Sequence, residues 1–176
     1  MVNRYITAQH LQLLCVIADE AIAPNGQQPV NILILLHGLG DSHVPFERLG
    51  AQLNLPNTAC IAIRAPNTLP FEATSFHWGD DVMFDSSTNG LDPDGGFKTS
   101  TPFLAKDVIS SGLIKTCGYA YRDIVVFGLG QGGMAALNVA SRCLRTEVTD
   151  FLLIYLFYSR SAGRVGRHYQ YWWTTP

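Results

Sequence analysis

Two glycine-rich turns carry the residues of this chain best suited to chemistry. The first is His37-Gly38-Leu39-Gly40-Asp41 and the second is Gly128-Leu129-Gly130-Gln131-Gly132-Gly133. Each follows an apolar run, Val30 to Leu36 in one case and Asp123 to Phe127 in the other. The second turn has the spacing of a nucleophile elbow, G-x-S-x-G, where small flanking residues let the chain bend sharply and lift a nucleophile above a sheet. Gly128 and Gly132 occupy the flanking positions, and Gly130 stands where the serine would be. Glycine has no side-chain atom with which to attack a carbonyl. The same residues also fit G-x-G-x-x-G through Gly128, Gly130 and Gly133, the spacing of a dinucleotide-binding turn. That second fit is the poorer one. Such a turn ordinarily opens its domain, whereas most of this chain precedes it, and Asp150 falls before the next apolar run rather than at its end. Under either reading the glycines allow close packing of strand on helix.

The elements that hold these turns follow from hydrophobic spacing. Leu11 to Ala18, Val30 to Leu36, Ala59 to Ile63, Asp123 to Phe127 and Phe151 to Tyr158 read as strands, and the continuous run at 30–36 suits a strand buried on both faces. Phe46 to Leu53 has helical spacing, with Phe46, Leu49 and Leu53 on one face. Pro102 to Thr116 reads as a helix with Thr101 as N-cap and Pro102 at its first position. Met134 to Leu144 reads as an alanine-rich helix. From Thr68 to Thr101 there is little periodicity, and a loop that long is expected to be functional or a lid. Strands alternating with helices predict an α/β fold around a central, mostly parallel sheet. Ligands of such sheets bind beyond the carboxyl ends of the strands, where both glycine-rich turns fall. His37 is expected to hold its loop by hydrogen bonds, and Asp41 to cap the helix after it.

Composition narrows the function classes. With 176 residues, 47% hydrophobic and 15% charged, the chain is expected to fold as one globular domain. A formal net charge of −2 gives no basic surface for nucleic acid. The N-terminus opens no signal-peptide core, and the run from Phe151 to Tyr158 is too short for a transmembrane segment. Cys15, Cys60, Cys117 and Cys143 lack metal-ligand spacing, so no metal site is expected. Buried, reduced thiols favour a cytoplasmic location.

Taken together, Leu36-His37-Gly38-Leu39-Gly40-Asp41-Ser42, Ala65-Pro66, Trp78 and Val126-Phe127-Gly128-Leu129-Gly130-Gln131-Gly132-Gly133 resemble the phospholipase/carboxylesterase family that includes the acyl-protein thioesterases. The resemblance covers about residues 30–144. It implies an α/β-hydrolase fold and, in intact members, hydrolysis of acyl esters or thioesters without a cofactor. It also implies that the Leu39 and Gln131 backbone amides form an oxyanion hole, and that Trp78 lies near the acyl pocket; the alternative for Trp78 is a partly buried loop anchor. The implied ligand is an acylated small molecule or an acylated protein. The family's elbow is typically G-F-S-Q-G-G, so Gly130 is the principal departure. After the elbow, Asp150 and His168 are the only aspartate and histidine, and neither has the family's surroundings. Residues 1–150 are therefore expected to form the hydrolase core with its last strands incomplete. Residues 151–176 form an atypical aromatic and basic tail, either foreign to the fold or a cover for a sheet edge or a partner surface. Two functions follow as expectations: a hydrolase impaired at its nucleophile, or an acyl-binding or regulatory pseudoenzyme.

Overall fold

The computed structural model describes residues 29–87, 89–144 and 152–153. Its centre is a four-stranded parallel sheet. Strand β1 (Asn31–Leu36) lies between β2 (Thr58–Ile63) and β7 (Ile124–Gly128), and β8 (Leu152–Leu153) pairs with β7 on its far side. The register pairs Leu36 with Ile63 on one side and with Gly128 on the other. The carboxyl ends of three strands therefore stop level with one another, and the turns that follow β1 and β7 emerge side by side.

Alternation along the strands sorts their side chains into two cores, as a strand's two-residue period requires. Ile32, Ile34, Leu36, Ala59, Ile61, Ile63, Ile124 and Val126 face one side. There they meet Leu104, Val108, Ile109 and Leu113 of helix α2 (Ser100–Pro102 continuing into Phe103–Thr116) together with Ala135, Ala136 and Val139 of helix α3 (Gln131–Leu144). Leu33, Leu35, Cys60 and Ala62 face the other side and meet Phe46 of helix α1 (Val44–Leu53). A sheet covered on both faces accounts for β1 being a continuous apolar run.

Several details depart from the sequence expectations. Leu53 is 43% exposed, so α1 seats through Phe46, Leu49 and the buried Gly50, which lies against Cys60 and Leu35. Asp41 does not cap α1: its carboxylate accepts the Ser42 N–H at 2.7 Å, and the N-cap is His43. Helix α2 begins two residues early, as an α-helical turn over Ser100–Pro102 with Thr99 as N-cap, and Thr101 is buried. Over Phe103–Thr116 it is wound as a π-helix, so the Thr116 hydroxyl donates to Ser111 O and the Cys117 N–H to Gly112 O, each five residues back. The stretch from Thr68 to Thr101 holds two antiparallel hairpins, β3 (Asn67–Leu69) with β4 (Glu72–His77) and β5 (Met83–Asp85) with β6 (Gly90–Asp92). Their strands are short and largely exposed, which leaves little hydrophobic alternation to read. The expected strand at 11–18, and the residues of the 151–158 run other than 152–153, lie outside the described residues.

Candidate functional site

Only Leu129 and Gly130 separate the end of β7 from the start of α3. The bend is so tight that a Cβ on Gly128 would lie 2.3 Å from the Gly132 carbonyl oxygen. A Cβ on Gly132 would lie 2.4 Å from His37 O and 2.5 Å from Leu36 O. Both flanking glycines are thus required by backbone-on-backbone contact. Gly130 differs. Its φ is +53°, in the left-handed region, yet among the described residues the nearest atom to a Cβ placed there is Gly38 Cα at 3.9 Å. The crest of the elbow has the backbone for a projecting side chain and the room for one, but no side chain.

The turn after β1 packs directly against this bend. The Leu129 N–H donates to Leu36 O at 3.0 Å, and a Cβ on Gly38 would touch Leu129 O at 3.5 Å. Within the first turn the Gly40 N–H donates to Phe76 O and the Asp41 N–H to Gly38 O, while the Leu39 N–H takes no part in these bonds. Gln131 opens α3, so its N–H belongs to the first turn, whose donors have no intrahelical acceptor and carry the positive end of the helix dipole.

His37 is fully buried and engaged at both ring nitrogens. Its Nδ1–H donates to Gly38 O at 2.7 Å, and its Nε2 accepts the Ala65 N–H at 3.0 Å. Only the neutral ring with its proton on Nδ1 makes both bonds. Burial lowers its pKa below the ordinary histidine value, partly opposed by the Gly38 carbonyl and by Asp41. The ring ties the turn after β1 to the segment after β2 and has no nitrogen left for proton transfer.

Trp78 follows β4 and is fully buried. Its ring lies 5.4 Å from that of His37, and its indole N–H donates to His37 O at 2.8 Å. Its backbone N–H donates to the Gln131 Oε1 at 2.7 Å. The Gln131 side chain, 2% exposed, also donates from Nε2 to Pro93 O at 2.8 Å. Nearby, the Asp80 carboxylate accepts the Lys98 and Thr99 N–H groups at 2.7 and 2.8 Å, which fastens the start of α2. What burial it has opposes ionisation, but these hydrogen bonds and the Lys98 charge prevail and hold its carboxyl below the ordinary range.

The structure therefore brings Leu39, Gly128, Gly130, Gln131, Gly132 and Trp78 into one neighbourhood at the carboxyl end of the sheet. Asp150 and His168 lie outside the described residues. His37 holds its loop by hydrogen bonds, as expected from sequence; sequence reasoning considered only the backbone of Gln131 and missed its side chain, along with Pro93 and Asp80. The partners in these contacts are mostly backbone groups, which leave no mark in residue type. No cluster of three or more His, Cys, Asp or Glu that could hold a metal ion occurs among the described residues.

Comparison with known proteins agrees with this geometry. Residues 17–146 match the model of the Phospholipase/Carboxylesterase family. An uncharacterized hydrolase of Schizosaccharomyces pombe is 36% identical over 111 residues, which cover 61% of this chain and 44% of that protein. An uncharacterized hydrolase of Mycosarcoma maydis is 37% identical over 111 residues, 62% of this chain and 41% of that protein. The aligned region thus spans less than half the length of either relative. The crystal structure of esterase PE8 superposes with a TM-score of 0.56 at 23% identity, over 67% of this chain and 54% of the esterase, which shows a shared fold.

Proposed function

This chain belongs to the phospholipase/carboxylesterase family, and we propose that it binds acyl esters, thioesters or their free acids without forming a covalent acyl-enzyme. The observation that carries this reading is the crest of the elbow. Gly130 has a positive φ and open space above it, in the position where G-x-S-x-G presents the nucleophile. Acyl transfer in this fold proceeds by attack of the serine oxygen on the carbonyl carbon, while backbone amides receive the developing negative charge. In this reading the second half of that apparatus is supplied by the Leu39 and Gln131 N–H groups, and α3, which opens at Gln131, adds the positive end of its dipole. These donors favour a carbonyl or carboxylate oxygen. Nothing at residue 130 can attack the carbon beside it.

Trp78 is placed beside the acyl-binding region in this reading, as the buried anchor that fixes its floor. A cytoplasmic location is supported by the buried, unpaired thiols of Cys60 and Cys117. The acyl ligand is proposed to be a small molecule or an acylated protein, as the family implies; no helix among the described residues is long and apolar enough to cross a membrane.

Two assays test the proposal. With a short-chain p-nitrophenyl ester, turnover is expected to stay at the level left by binding and oxyanion donors alone, about 10³–10⁴-fold over water against millions for an intact triad. A fluorophosphonate probe is expected to leave the chain unlabelled. Robust turnover, or a covalent adduct seen by intact-mass measurement, would falsify the proposal.

A further inference from the structure

Gln131 has two parts that face different tasks. Its backbone N–H follows Gly130 directly, in the first turn of α3, whereas its side chain turns inward and is sealed from solvent. There the amide makes one bond in each direction: Oε1 accepts the Trp78 N–H and Nε2 donates to Pro93 O. These partners belong to two loops, one after β4 and one after β6, that make no ladder with the central sheet. The fit is close, because a Cβ on Gly79 would lie 3.2 Å from that same Nε2 and 3.4 Å from Gly95 Cα. The chain of contacts continues through Trp78, whose indole N–H holds His37 O, and through His37, whose Nδ1–H holds Gly38 O next to Leu39. One side-chain amide thus connects the elbow, both covering loops and the turn that bears the second amide donor.

We propose that the Gln131 side chain is a positioning residue that latches residues 78–81 and 93–96 onto the elbow and fixes the Leu39 and Gln131 amides relative to each other, so that loop closure and occupancy of the amide pair are linked. Only a carboxamide of this length fills the role without a charge. It supplies one acceptor and one donor at the same end, and its two partners are a donor and an acceptor. Linkage is reciprocal: a ligand that prefers the aligned amides stabilises the closed loops to the same degree that closed loops tighten the ligand. The ligand part of this inference rests on the acyl-binding reading; the latch does not.

The test is hydrogen–deuterium exchange, read as protection factors, on the wild type, Gln131→Ala and Gln131→Glu. In Gln131→Ala, exchange at 78–81 and 93–96 is expected to rise about tenfold or more, the effect of losing buried hydrogen bonds, with β1 and β7 unchanged. Gln131→Glu adds a readout that a space-filling role would not move. A protonated carboxyl can still donate to Pro93 O and accept from Trp78, whereas a carboxylate meets Pro93 O with acceptor against acceptor. Burial raises the glutamate pKa above its usual value of about 4.3. The variant's loops should therefore be protected near pH 5 and open near about pH 7.5, beyond any change in the wild type. Equal loop protection in wild type and Gln131→Glu at both pH values would overturn the latch, even if Gln131→Ala proves unfolded. In a second arm, saturating palmitic acid should raise protection of both loops in the wild type and fail to do so in Gln131→Glu at neutral pH. Binding without that difference overturns the linkage. Absence of palmitate binding to the wild type removes the acyl-binding reading and leaves the first arm to decide the latch.

Discussion

Three glycines within five residues of the elbow do different work, and substitution separates them. Gly132 is pressed against the carbonyls of Leu36 and His37, so Gly132→Ala drives a methyl into backbone that cannot yield. It should cost roughly 3 kcal/mol, at the upper end of overpacking effects. Gly130→Ala meets open space and bears only the penalty of a left-handed backbone, about 1–2 kcal/mol. Equilibrium unfolding in urea checks both; equal losses would show that the crest is more crowded than the structure has it. At this scale the sequence was most legible where glycine is the signal, because close approach and positive φ select that residue by exclusion. It was least legible at the Gln131 side chain; for His37 the hydrogen-bonding role was legible but its partners were not. Their side chains bond to the backbone of Trp78, Pro93, Gly38 and Ala65, and a backbone partner can be any residue.

Elements joined through His37 give a dependence on acidity. The neutral ring links the turn after β1 to Ala65 after β2, and burial lowers its pKa below the unfolded value of about 6.5. The sign follows from proton uptake. Above about pH 6.5 neither state binds the proton and the stabilisation is complete. As pH falls from there toward the lowered folded value, the unfolded chain takes up a proton that the folded chain refuses, and stability declines. Urea midpoints should therefore drop between about pH 7.5 and pH 5.5, and a flat profile would mean that the ring is protonated without cost in the fold. The central strands β1, β2 and β7 were legible to within a residue or two, since unbroken apolar runs have few other uses in a chain of this size. Helix α1 and helix α3 were found with shifted starts. The hairpins between β3 and β6 were not found, because their short strands show no alternation to detect. The start of α2 was missed because the group that fastens it, Asp80, lies eighteen or more residues upstream of the N–H groups it accepts.

At the scale of the whole molecule, the described residues form a sheet with helices on both faces and two glycine-rich turns at one end. The α/β class was evident from the order of strands and helices, and both glycine-rich turns fell at the carboxyl ends as expected. What the order of elements could not convey is how firmly the two turns are held together: by the Leu129–Leu36 bond, by Gly132 lodged against β1, and by the buried Gln131–Trp78–His37 contacts. Gly130 sits at the crest of that scaffold with the packing of both turns around it in place.

The open crest also makes the protein addressable by alkylation. In Gly130→Cys the introduced sulfur would project into the empty space at the mouth of α3, where the helix dipole favours thiolate and speeds reaction. Cys60 and Cys117 are buried, and burial pushes both thiols up, which makes them slow. Treating wild type and variant with iodoacetamide should therefore reveal one additional fast phase of modification, lost on unfolding. A variant that alkylates no faster than a simple thiol would show that the crest lacks the helix's field. A fast phase beyond those of the wild type would give the folded chain a chemical address at the crest, to which an acyl mimic, a fluorophore or a surface linker can be attached.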